Sequence, residues 1–521
     1  MRLNYLSLAF ILALQIGLSA SSLRAESIDL ANATIEDINK AFDAGTLTSE
    51  KLVQMYLDRI EAYDKEGPAI NAMIYVDPKA LEFARELDKE RAEKGPRSTI
   101  HGIPFILKDL FDAEGQPTTA GFVGLEGSMP WRDGWVAKKL RENGGIILGK
   151  TNMNDWFARA PWGASTLGGQ TLNPYALEYV PGGSSSGSGA GIAAAFAQVS
   201  FGSETGVSIR NPTSENNLVG LAPTLGLVSR TGMIMNALTH ERGGPMSRSV
   251  YDLAATLEAV AGFDPEDLVT MASRGHVPEG GYVQFVDPES GLQGARIGVL
   301  RDMFRSGEIH EEATALIETA IEQIEEAGAT VIDPLSTGLP LLSLATNTRV
   351  SAWEKKAATD YYLSGLGPNA RYKNMTEMID ANPDHLERLR ERDQVDDLDF
   401  NGPYLSRLKN REMMGEALIR LMDEYQLDAL VFPFKTLPAS KIADGWSNRE
   451  GDNALSSQTG FPGLLVPAGF TEENLPIAIE FLGRPFSEPT LIKLASGYEA
   501  VSKNRKLPEN TPPLKGQTIS Y

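Results

Sequence analysis

Apolar and polar positions along this chain recur in two periods, and the switches between them outline its architecture. Thr48 or Ser49 can cap a helix in which Leu52, Tyr56, Ile60 and Tyr63 fall on one face. A second helix is predicted after Asp77-Pro78, from Lys79 to about Lys94. Pro96 and Gly102 then break the pattern before Phe105-Ile106-Leu107, a run short enough for a buried strand, with Lys108 at its end. Val136 to Glu142 reads as helix and leads through Asn143-Gly144-Gly145 to the apolar strand Ile146-Ile147-Leu148. The alternation returns later as strand Ile297 to Leu300, helix from about Glu311 to Ala327, and strand Thr330-Val331-Ile332. Ala429 to Phe432, Leu464 to Val466 and Ile477 to Leu482 read as further strands. This pattern predicts the α/β class, a large sheet covered by helices. Residues from about 340 to 425 are helical and charged without a strand signal. They are read as an insertion over one end of the sheet, suited to a lid or pocket wall.

The first 25 residues depart from this alternation. Arg2 gives a positive start, Leu6 to Leu18 is almost wholly apolar, and small residues up to Arg24-Ala25 precede a polar segment. That is the three-part layout of a secretory signal peptide. The apolar run is shorter than the roughly 18–20 residues that a membrane span requires. Residues 1–25 are therefore expected to be a leader for export to the periplasm or the extracellular space. The remaining 26–521 are expected to form one domain with no stable membrane insertion. With 521 residues, 42% of them hydrophobic, the chain can bury a large core, and no linker divides it. Zero cysteines exclude disulfides and every thiol mechanism. A net charge of −21 repels nucleic acid and anionic lipid, which favours a small-molecule or peptide ligand.

Two glycine- and serine-rich turns carry the candidate chemistry. Pro181-Gly182-Gly183-Ser184-Ser185-Ser186-Gly187-Ser188-Gly189 is followed by an alanine-rich run and then by Gly202-Ser203-Glu204-Thr205-Gly206-Val207-Ser208-Ile209-Arg210. Such turns build a poor core but present hydroxyls and bare backbone N–H groups, as a nucleophilic serine requires. Three competing motifs fail on mechanics. Gly144 to Thr151 matches the phosphate-loop pattern, but its middle is Ile-Ile-Leu, itself a strand where a loop must bend around phosphates. Gly183 to Gly187 matches G-x-S-x-G around Ser185, yet no apolar strand leads into it. Of the five histidines, His240 is the best available base, and a histidine in so polar a loop is expected to be solvated. No two histidines lie at metal-ligand spacing, so no metal is expected.

The remaining base is a lysine. An ordinary lysine, with a pKa of about 10.4, is protonated at neutral pH. Burial without a carboxylate partner favours the neutral amine. Lys108 follows Ile103-Pro104-Phe105-Ile106-Leu107, a setting that fits desolvation, although Asp109 beside it is the obvious ion-pair partner.

Together, His101 to Asp109, Gly182 to Ser188 and Thr205 to Arg210 resemble the amidase signature family in order and spacing. Thr151 to Trp156, Gly169 to Pro174, Gly244 to Val250, Gly463 to Gly469 and Leu475 to Glu488 are also similar to its segments, so the resemblance covers most of 30–500. The serine-rich segment is most like that of bacterial peptide amidases. The resemblance implies a large twisted mixed β-sheet sandwiched between α-helices, with the signature region at about 100–250. It also implies a triad of Lys108, Ser184 behind a cis peptide bond, and Ser208 as nucleophile, working without a cofactor. Thr205, Gly206 and Val207 would form the oxyanion hole. The expected reaction is hydrolysis of a linear carboxamide, with C-terminally amidated peptides among the candidates. An esterase or carbamate hydrolase using the same triad, and a catalytically impaired amide-binding protein, are the alternatives. Two departures stand out: Val207 and Ala222 occupy positions where the family usually has glycine and lysine. If position 207 needs φ > 0, a β-branched residue there is strained.

Overall fold

Eleven strands form one mixed sheet in the computed structural model, which describes residues 27–157, 161–393, 395, 398–445 and 453–521. In chain order they are Met73–Val76 (β1), Pro104–Lys108 (β2), Ile146–Thr151 (β3), Val199–Glu204 (β4), Val219–Ala222 (β5) and Arg242–Ser247 (β6). Arg296–Leu300 (β7), Thr330–Leu335 (β8), Ala429–Pro433 (β9), Gly463–Phe470 (β10) and Pro476–Leu482 (β11) complete the set. Across the sheet the order is β8-β7-β9-β11-β10-β5-β6-β4-β2-β3-β1. β2 runs parallel to both β3 and β4, whereas β6 runs antiparallel to β4 and β5. A separate pair, Ser27–Asp29 with Thr518–Ser520, ties the two ends of the described chain together.

Helices Val250–Val260, Glu308–Glu326 and Glu488–Ser502 pack on the strands and on one another. Every residue of β2, β3, β4, β5, β6, β9 and β11 is buried. Strands covered on both faces lose the in-out alternation of a half-exposed sheet, which is why β2, β3 and β9 read as short apolar runs. The predicted helix at the capping Thr48 spans Ser49–Ile60, with Thr48 Oγ1 accepting from the Lys51 N–H at 3.1 Å. It continues through a π turn at Glu61–Lys65 that keeps Tyr63 in the core.

Between β8 and β9 lie helices Leu341–Asn347, Ser351–Gly365, Met375–Ala381 and Gly402–Glu424, with no strand among the described residues. The expected leader at 1–25 lies outside the described residues. Among the described residues, no helix is long and apolar enough to cross a membrane.

Candidate active site

Lys108 is the last residue of β2, the third strand from one edge of the sheet, and its whole side chain is buried. Its Nζ lies 2.8 Å from Ser184 Oγ, 3.0 Å from Ser203 Oγ and 3.5 Å from the Ser203 carbonyl oxygen. Asp109, the neighbour in sequence, turns the other way, as successive residues of a strand do. It accepts from the N–H groups of Thr119 and Gly121, each at 3.1 Å, and lies 3.6 Å from Lys150 Nζ. The expected competitor for Lys108 is thus engaged elsewhere. Burial brings the Lys108 pKa down to about 7, while the carboxylates of Glu241 and Glu204 hold it up against that fall.

The Gly183–Ser184 peptide is cis. Gly182 has φ +72°, and a Cβ there would lie 2.7 Å from Asn211 Oδ1 and 2.8 Å from Pro212 Cα. Only glycine admits this approach. The approach carries a hydrogen bond from the Gly183 N–H to Asn211 Oδ1 at 2.8 Å, and Asn216 Nδ2 donates to the Pro181 carbonyl at 2.8 Å. Asn211 opens the segment after Ser208, so the two serine turns are laced to each other rather than floating. Ser184 is buried and Ser208 is partly exposed, at the start of the turn into helix Arg210–Glu215.

The loop between β4 and that helix has its carbonyls committed. Gln458 Nε2 donates to the Thr205 carbonyl at 3.3 Å, Arg210 Nη2 to that of Gly206 at 3.0 Å, and the Asn211 N–H to that of Val207 at 2.7 Å. In a trans peptide the N–H points opposite to the C=O. The N–H groups of Gly206, Val207 and Ser208 therefore face away from these donors. Among the described residues, none of the three makes a hydrogen bond. The loop is a preformed set of donors in the sense an oxyanion requires.

A buried ionic cluster holds this loop. Glu204 accepts from the Ile209 and Arg210 N–H groups at 3.2 Å, from Arg210 Nε at 3.0 Å and from Arg242 Nη2 at 2.9 Å. Arg210 also reaches Glu480 at 2.9 Å. Both guanidiniums are paired, and the two cations hold the Glu204 carboxyl below the usual range despite its burial. Glu241, which no sequence motif marks, accepts from Thr205 Oγ1 at 2.5 Å and from the Asn236 N–H at 3.1 Å. Burial pushes its carboxyl up, opposed by Thr205 and Lys108. Ser203 lies in the second glycine-serine stretch, but nothing local aims it at the lysine. It reaches Lys108 through the pairing of β4 with β2, and Glu241, just before β6, through that of β6 with β4.

Other expectations fare differently. His240 is fully buried, not solvated; burial, with Arg411, Arg349 and Arg242 nearby, drives its pKa well down. Its Nδ1 lies 3.4 Å from Thr239 Oγ1 rather than against a serine. Ser185 Oγ donates to the Ser203 carbonyl at 3.3 Å, and it is Ser184, not Ser185, that meets Lys108. Lys150 and Thr151, the end of the phosphate-loop match, belong to β3 and are buried. Val207 is not among the residues with positive φ, and it packs against Phe434, Leu465 and Ala478. Steric strain is therefore not its consequence. Ala222 ends β5 opposite Gly463, fully buried, where a lysine would need its own partner.

The site thus joins a desolvated lysine, hydrogen-bonded to Ser184 and Ser203, with a loop whose N–H groups stand unbonded beside Ser208, on an α/β sheet. The amidase family profile matches residues 51–492, and the chain belongs to that family. It is 34% identical over 514 residues to the probable amidase At4g34880 of Arabidopsis thaliana, covering 94% of each chain. Its structure is similar to native peptide amidase from Stenotrophomonas maltophilia, with a TM-score of 0.83 and 34% identity over 92% of this chain and 99% of that one. It is also similar to an amidase family protein from Bacillus anthracis str. Ames, with a TM-score of 0.81 and 32% identity over 92% of this chain and 93% of that one. The chain is an amidohydrolase acting on amide C–N bonds.

Proposed function

We propose that this amidohydrolase cleaves a linear carboxamide through an ester formed on Ser208, with small amides and C-terminally amidated peptides as candidate substrates. The neutral Lys108 amine accepts the proton of Ser184 Oγ, Ser184 accepts that of Ser208, and Ser208 Oγ bonds to the carbonyl carbon. Charge moves to the carbonyl oxygen, where the N–H groups of Thr205, Gly206, Val207 and Ser208 receive it. A donor of this kind stabilises the transition state by ~3–4 kcal/mol. The proton returns through Ser184 to the leaving nitrogen, the C–N bond breaks, and ammonia or an amine departs. Water then attacks the acyl group by the same relay, yielding the acid and restoring Ser208. The scheme calls on no metal or organic cofactor.

The observation that carries this reading is the 2.8 Å approach of Lys108 Nζ to Ser184 Oγ in a fully buried setting. The likeness to the Stenotrophomonas peptide amidase supports a carboxamide at a peptide end. The test is ammonia release from a panel of amides, followed by mass spectrometry after a serine-directed phosphonate. The adduct is expected on Ser208, and full activity in Ser208→Ala overturns the assignment. Faster turnover of shape-matched esters or carbamates would move the reading to those bonds. Export is proposed on the pattern of the first 25 residues. A cut after Ala25 would leave the strand Ser27–Asp29 intact, and sequencing the mature N-terminus tests it.

A further inference from the structure

The short turn Asp155–Phe157 takes no part in the proposed proton relay, yet it lies against the base. Lys108 Nζ sits over the Phe157 ring, 5.5 Å from its centre. Lys108, Ser184 and Ser203 have no exposed surface, whereas Phe157 keeps 9%. Of these four residues only Phe157 reaches solvent, so its ring is the outer cover of the amine.

The backbone of this cover is held in a conformation that bulky residues avoid. Trp156 has φ +46° and Phe157 has φ +66°, two consecutive residues in the left-handed region. Strain of this kind persists only where the surroundings enforce it. Here the Trp156 N–H donates to the Ala120 carbonyl at 3.3 Å, the Phe157 N–H to the Asn154 carbonyl at 2.9 Å, and Lys355 Nζ to the Trp156 carbonyl at 3.3 Å. The Trp156 ring meets Phe122 edge-on, with centres 6.2 Å apart. Residues 119–121 hang in turn on the Asp109 carboxylate, which accepts from the N–H groups of Thr119 and Gly121 at 3.1 Å. Asp109 follows Lys108 directly, so one strand end holds both the base and the frame of its cover.

A ring so placed acts on a lysine in two opposed ways. Its π face attracts the ammonium, which favours the charged form. Its bulk keeps water from the nitrogen, which favours the neutral form. The second effect wins here, because burial is the largest influence on this amine.

We propose that Phe157 is a positioning residue of the relay: its ring, fixed by the left-handed turn, seals the Lys108 amine from water and holds it ready to take the Ser184 proton. The proposal rests on the lysine-base reading above. Two variants test it. Phe157→Gly removes the ring and suits φ +66°, so the turn can persist. Phe157→Leu keeps an apolar cover and loses the π face. The readout is the second-order rate of phosphonate labelling at Ser208 from pH 5 to 10, which needs no known substrate. Water reaching the amine in Phe157→Gly should raise its apparent pKa by about one unit, making labelling about fivefold slower at pH 7 and restoring it by pH 9. In Phe157→Leu the acid limb should stay at the wild-type position or slightly below it. Glu241 and Glu204, which face the amine, and Lys355, 5.0 Å from the centre of the same ring, are unchanged in both variants. A Phe157→Gly limb at or below the wild type's overturns the proposal, as does a rate lowered equally at every pH, the mark of a ring that only fills space. A Phe157→Leu limb raised as far as the glycine variant's overturns it too. A wild type with no limb in this range removes the lysine base and the proposal with it, whereas a wild-type limb near pH 7 with unmoved variants removes the proposal alone.

Discussion

Replacing Glu241 by glutamine removes a buried negative charge that favours protonated Lys108 while keeping the side chain's shape. An ordinary lysine at about 10.4 is neutral in roughly one molecule in 2,500 at pH 7. With its pKa brought to about 7, Lys108 is neutral in about half. Only the neutral amine can act as base, so kcat/KM should rise with pH through an apparent pKa near 7. The neutral fraction is about 0.09 at pH 6 and about 0.9 at pH 8, which sets the wild-type activity ratio between these pH values near 0.1. Glu241→Gln should lower the lysine's pKa further and shift the acid limb to lower pH, so the ratio should rise well above 0.1. The plateau should fall at the same time, because Thr205 Oγ1 loses its carboxylate acceptor. Charges facing Lys108 from the other packed elements remain: Glu204, tied to Arg210 and Arg242, and Lys355 across the Phe157 ring. The assay is kcat/KM from pH 5 to 9 on one amide for both proteins. A limb centred near pH 4, or a variant limb at higher pH than the wild type, would refute the lysine as base.

Gly182→Ala should cost about 1–3 kcal/mol in urea unfolding and reduce kcat, since φ +72° and Pro212 leave no room for a methyl group. Arg210→Met should cost about 3–5 kcal/mol, because it strands the buried carboxylates of Glu204 and Glu480; a thermal midpoint equal to the wild type's would contradict the ion-pair account. Val207→Gly should lower the thermal midpoint, since its side chain packs on Phe434, Leu465 and Ala478. A gain in stability there would mean that the valine is strained after all.

The strands legible in the sequence are those with long or branched side chains. β2, β3, β7, β8, β9, β10 and β11 each show an apolar run such as Phe-Ile-Leu, Val-Ile or Leu-Leu-Val. The strands β4, β5 and β6 read Val-Ser-Phe-Gly-Ser-Glu, Val-Gly-Leu-Ala and Arg-Gly-Gly-Pro-Met-Ser, and no local pattern marks them. Their strand state comes from pairing inside a sheet covered on both faces, where small residues let neighbouring backbone and side chains approach. A Cβ on Gly220 would meet Thr213, and one on Gly244 the Leu221 carbonyl. β4 carries Ser203 and Glu204 toward the lysine, and Glu241 stands just before β6.

Local preferences of backbone and side chain, readable along the chain, set the alternation of helix and strand, the two glycine-serine turns and the lysine behind an apolar run. How those pieces act depended on the tertiary fold. It turned Asp109 away to Lys150, set Ser203 and Ser184 around the Lys108 amine, buried His240, and swung Arg349 over Gly206 from a segment more than a hundred residues away. The physical reason is that desolvation and charge proximity depend on what surrounds a group in three dimensions, and neighbours along the chain are a minority of those surroundings.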